Sequence, residues 1–159
     1  MNNIRLYLGI LIIPLFLLVT IFITHRDVSP NTGIPLTGLA TMRSMAKQSI
    51  PYEIAMNNHK PSLIEFYADW CTICQSLAPS LKNLHQQYGE NINFVMLNID
   101  NPIWSKVIKT YGANSVPYLV FLTPEKEVKE VLVGKPPERI IEQIIMSGKV
   151  SYQLSAISY

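Results

Sequence analysis

The two cysteines of the chain, Cys71 and Cys74, stand three apart where one kind of hydrophobic pattern gives way to another. Before them, Ser62 to Ala68 (SLIEFYA) is a short run, apolar but for Glu65, of the length and composition of a buried strand. After them, Leu77, Leu81, Leu84 and Tyr88 recur at spacings of four, three and four, one face of an amphipathic helix that Gly89 ends and Pro79 bends. A strand that passes through C-x-x-C directly into a helix leaves few architectures open.

The rest of the chain extends the alternation. Pro51 heads a short helix (PYEIAMNN) closed by Lys60-Pro61, and Ile92 to Ile99 (INFVMLNI) is a second strand. Asn101 followed by Pro102 is a helix cap with proline at the first helical position, opening a helix that runs to Gly112. Beyond Val116-Pro117, Tyr118 to Leu122 is a third strand, and Thr123 to Lys126 a turn into a fourth, Glu127 to Val133. Pro136-Pro137 leads into a last helix with Ile140, Ile141, Ile144 and Ile145 on one face, stopped by Gly148. The expected fold class is α/β, a mixed sheet flanked on both faces by helices.

At 159 residues and 48% hydrophobic, the chain has room for one ordinary core beside its N-terminus. The net charge of +2, without a basic stripe, lacks the footprint of a nucleic-acid binder. Leu6 to Ile23 is uncharged, and as a helix would extend roughly 27 Å, close to the thickness of a hydrocarbon core. A cleavable signal peptide competes with this reading, but no small-residue cleavage site follows; Thr24-His25-Arg26 stands there instead. The expected organisation is a membrane anchor over 4–24, a linker over 25–44 rich in Pro, Gly, Thr and Ser, a folded domain over 45–148 and a tail over 149–159.

Three roles are open to the cysteine pair. Zinc needs about four ligands, and His25, His59 and His85 are scattered over linker, turn and helix. A structural disulfide over so short a loop removes little entropy from the unfolded chain. Redox chemistry accounts for more of the setting. Cys71 at a helix start faces unpaired backbone N–H groups and the positive end of the helix dipole, which favour a thiolate, and Cys74 is near enough to resolve a mixed disulfide.

With these residues in view, EFYADWCTICQSLAP, NFVMLNID, Val116-Pro117 and Gly134 resemble, in order and spacing, the thioredoxin family over about residues 45–148. The resemblance implies a thioredoxin fold with Cys71 as nucleophile and Cys74 as resolving thiol. Trp70 and Val116-Pro117, with Pro117 cis, would bind substrate, and Glu65 would be a buried carboxylate relaying the proton of Cys74. The other reading of Glu65 is a tolerated polar residue on a sheet edge, while Tyr67 and Trp104 read as packing residues. The family needs no cofactor beyond its own disulfide. Thr72-Ile73 replaces the Gly-Pro usual between the cysteines, and Met96 stands where a lysine is common.

The anchor, tether and W-C-x-x-C together are similar to the membrane-anchored thioredoxin-like proteins of cyanobacterial and chloroplast thylakoids. That similarity implies a disulfide reductase facing the thylakoid lumen or periplasm, with a CcdA-type transmembrane thiol transporter as electron donor. Its implied targets are apocytochromes c, and through them cytochrome b6f assembly. A disulfide oxidase or isomerase with the same residues, and a binding or assembly factor whose cysteines stay paired, are the alternatives.

Overall fold

A computed structural model describes residues 35–157, with side chains over 37–148. The expected anchor over 4–24 and the first half of the expected linker, 25–34, lie outside these residues. In chain order the elements are α1 (Pro35–Gln48), α2 (Tyr52–Asn57), β1 (Ser62–Tyr67), α3 (Thr72–Tyr88), β2 (Asn93–Asn98), a 3-10 turn (Pro102–Trp104), α4 (Ser105–Tyr111), β3 (Tyr118–Leu122), β4 (Val128–Val133) and α5 (Glu138–Ile157). Among the described residues no helix is long and apolar enough to cross a membrane.

The strands form one mixed sheet in the order β2-β1-β3-β4. β2 lies parallel to β1, while β3 is antiparallel to both β1 and β4. Side chains alternate across a strand, so each strand supplies two cores. Leu63, Tyr67, Phe94, Leu119 and Phe121 meet Leu77, Leu81 and Leu84 of α3 and Ile141 and Ile145 of α5 on one face. Ile64, Phe66, Val95, Leu97, Val120 and Leu122 meet Ala55, Trp104, Val107 and Ile108 on the other. Trp104 packs edge-on against Tyr52 at 5.9 Å between ring centroids, a packing role as its sequence context predicts.

Three elements differ from expectation. Residues 35–44, which compositionally resemble a tether, belong to α1, whose Met42 and Met45 are buried in the first core. Tertiary burial of one face stabilises a helix whose Thr and Gly content favours none. Gly148 does not stop the last helix, which continues to Ile157. It is buried near Pro61, whose Cβ would make ordinary contact at 3.8 Å with a Cβ at 148. The helix opened by Asn101 starts as a 3-10 turn, with the Asn101 side chain accepting from the N–H of Ile103, before α4 ends at Gly112 in the left-handed region.

Candidate active site

β1 delivers the chain to the site. Cys71 N–H donates to Ala68 O at 3.1 Å, closing a turn with Asp69 and Trp70 at its corners, and Cys71 is the N-cap of α3. Its sulfur accepts the backbone N–H of Cys74 at 3.0 Å, so it occupies the place of a capping oxygen and meets the donors left open at a helix start. Cys71 and Cys74 are disulfide-bonded, with Cα atoms 5.3 Å apart. Both sulfurs are committed to each other.

The two cysteines differ in access. Cys74, one turn into the helix, is fully buried, whereas Cys71 is 5% exposed beside Trp70, which is 64% exposed. Of the two, only Cys71 has any exposed surface. The Trp70 indole N–H donates to the Asp100 carboxylate at 3.0 Å, holding an otherwise free ring at the mouth of the site. Asp100 escaped the sequence reading. The signal for it was the parallel pairing of β1 and β2, which brings the residues after both strands to the same end of the sheet.

Glu65 sits on central strand β1, not on a sheet edge, so the edge reading is excluded. Its cross-strand neighbours are Met96 and Leu119, both apolar. It is 2% exposed, and neither carboxylate oxygen has a hydrogen-bond partner among the described residues. Burial without a partner disfavours the charged form and pushes its pKa up to about 8. Strand alternation puts it on the face that holds Cys74. Met96 supplies no cation there.

The Val116-Pro117 peptide is cis. Pro117 is buried and its carbonyl accepts the N–H of Gly134 at 2.9 Å. Val116 is partly buried and packs against the core containing both cysteines. Tyr67 is buried on the same face, and desolvation, then Asp69 and Glu65, raise the pKa of its hydroxyl.

Two further contacts join the site to α1. Arg43 donates from Nε at 3.0 Å and from Nη2 at 2.7 Å to one carboxylate oxygen of Asp69. The Gln75 side-chain amide donates to Asp69 O at 2.8 Å, tying the turn before Cys71 to the first turn of α3. Neither residue was singled out from the sequence, because Arg43 falls in a segment whose composition hides its helix.

The profile of the family described as Thioredoxin matches residues 43–146. The Thiol:disulfide interchange protein TxlA of Synechococcus elongatus is 36% identical over 84% of this chain and 66% of its own length. The chloroplastic Thioredoxin-like protein HCF164 of Arabidopsis thaliana is 37% identical over 70% of this chain and 44% of its own. The chain thus spans between about half and two thirds of these two relatives. Thioredoxin of Streptomyces clavuligerus is 34% identical over 54% of this chain and 78% of its own. Among solved structures, a mutant thioredoxin from Halobacterium salinarum NRC-1 superposes with a TM-score of 0.53 at 29% identity, over 61% of this chain and 80% of that one. With a profile match spanning both cysteines, the cis proline and every strand of the sheet, the chain belongs to the thioredoxin family.

Proposed function

We propose that the protein is a membrane-tethered thiol–disulfide oxidoreductase working mainly as a disulfide reductase. One observation carries the chemistry: a reachable Cys71 caps α3, bonded to a buried Cys74. In the reduced protein the Cys71 thiolate, stabilised by the Cys74 N–H and the helix dipole, attacks a substrate disulfide. A mixed disulfide forms and one substrate thiolate leaves. Cys74 then loses its proton and attacks Cys71 Sγ, releasing the second substrate thiolate and restoring the Cys71–Cys74 bond. Two electrons have passed to the substrate, and a dithiol donor must return them.

Glu65, on the face of Cys74, accepts that proton in this scheme in its ionised form, which its raised pKa of about 8 makes the minor form at neutral pH. Trp70, Val116 and Pro117 form the surface on which the substrate chain lies. The tether is the uncharged run from Leu6 to Ile23. One relative is named a thiol:disulfide interchange protein and another a chloroplastic thioredoxin-like protein, which supports thiol–disulfide exchange at a photosynthetic membrane; in this reading the redox domain lies in the thylakoid lumen or periplasm. There it would be reduced through a CcdA-type transporter and would reduce apocytochromes c for cytochrome b6f assembly.

Cys71→Ser should abolish reduction of a model disulfide, and Cys74→Ser should accumulate covalent complexes with substrates. Reduction by Cys71→Ser at the normal rate would exclude the mechanism. After reduction of the disulfide, a membrane-impermeant thiol label should reach Cys71 from the lumenal or periplasmic side, and labelling only from the opposite side would exclude that location.

A further inference from the structure

Asp69 places a carboxylate at the corner of the turn that ends at Cys71. Asp69 stands two residues before Cys71, and the Cα atoms at the ends of such a turn are under about 7 Å apart, so the backbone that carries this charge lies close to the reactive residue. Left alone, it would oppose the helix-start donors that favour a thiolate. It is not left alone, because Arg43 grips it with two donors from α1. Both side chains are substantially exposed, at 57% and 39%, and exposed pairs of this kind add little to stability. Stability therefore does not account for the pair, whereas its position does.

Arg43 is also fixed relative to the site. α1 seats Gly38 against α3 so closely that a Cβ there would stand 2.7 Å from the backbone oxygen of Gln75, in the first turn after Cys71. Met42 and Met45 anchor the same helix in the core. The other titratable groups facing this end of the sheet are Glu65 and Tyr67 of β1 and Asp100 beyond β2, which is held by Trp70. Tyr67 interacts electrostatically with both Asp69 and Arg43, and among the described residues the only salt bridge to Asp69 is from Arg43.

We propose that Arg43 is a positioning residue of the active site: it cancels the Asp69 charge beside the nucleophile, and the two side chains set from opposite directions how readily Cys71 ionises. The inference rests on Cys71 being the nucleophile. It makes α1 part of the redox apparatus as well as of the core.

The test is the pH dependence of Cys71 alkylation by iodoacetamide in the full-length reduced protein, with the site of labelling located by fragment mass spectrometry. One charge at about 9 Å in a largely aqueous setting shifts a thiol by about 0.4 pH unit, or about 2.5-fold in rate below the midpoint. Arg43→Gln should slow alkylation by about that factor and Asp69→Asn should speed it by about as much. The double variant should return to within about 1.5-fold of the parent, and Arg43→Lys should stay near it. About 1 M salt, with a screening length of about 3 Å, should compress all these differences. A purely structural brace predicts that both single variants move in the same direction, and that result, or no movement in either, would overturn the inference alone. Failure of Cys71 to titrate in any variant would overturn the proposed function, and this inference with it.

Discussion

A carboxylate with no partner on a central strand is costly to ionise, and that cost makes Glu65 a residue with a measurable signature. Its pKa stands at about 8, against an ordinary value of 4.5, because burial penalises the charged form. Between those values the folded protein holds a proton that the unfolded chain has released. Stability from this group is full below pH 4.5 and is lost as pH rises towards 8, by up to about 1.4 kcal/mol per pH unit. Glu65→Gln should therefore flatten the decline of the denaturant midpoint between pH 5 and pH 8, and should exceed the parent in stability at pH 9. An unchanged pH dependence in the variant would contradict the assignment. Glu65 was legible in the sequence as the single charge in an apolar run. The absence of partners was not, because it depends on Met96 and Leu119 arriving from two other strands.

At the scale of elements, the α1–α3 contact turns on a proline and a glycine. Pro79 has no N–H to offer the carbonyl of Gln75, one turn earlier in α3. That same carbonyl oxygen is the group against which Gly38 packs, a close approach that allows a weak Cα–H to oxygen contact. Gly38→Ala would gain helix propensity of about 1 kcal/mol but force the two backbones apart. The expected net result is a loss of about 1–2 kcal/mol in denaturant unfolding, and a gain in stability would refute this packing account. Strand periodicity and the helix caps at Asn101 and Gly112 could be read from local patterns, because each depends on neighbours in sequence. α1 could not, since its Thr, Gly and Pro content suits a tether and it is Met42 and Met45, with Leu39 and Ala46 beside them, meeting a core built far along the chain, that hold it as a helix.

For the whole molecule, the sheet order and the two cores place C-x-x-C, the cis proline and the residues after β1 and β2 at one architecture-defined end, while α1 reaches that end from outside the expected domain. The folded unit accordingly needs α1. Burying a methionine contributes about 1.5–3 kcal/mol, so a chain starting at residue 49 forgoes roughly 3–6 kcal/mol from Met42 and Met45, a large part of a typical domain's stability. A chain starting at residue 35 should unfold cooperatively, and one starting at 49 should show a much lower midpoint; equal midpoints would show α1 to be dispensable. Glu65 and Arg43 matter, however, only if the disulfide they surround is a working redox centre. Its most direct test is a titration of the full-length protein in dithiol–disulfide buffers, followed by Trp70 fluorescence. A reversible two-electron transition near or below about −270 mV, absent in Cys71→Ser, is the predicted result, and a signal with no transition, or one that survives the loss of Cys71, would contradict it.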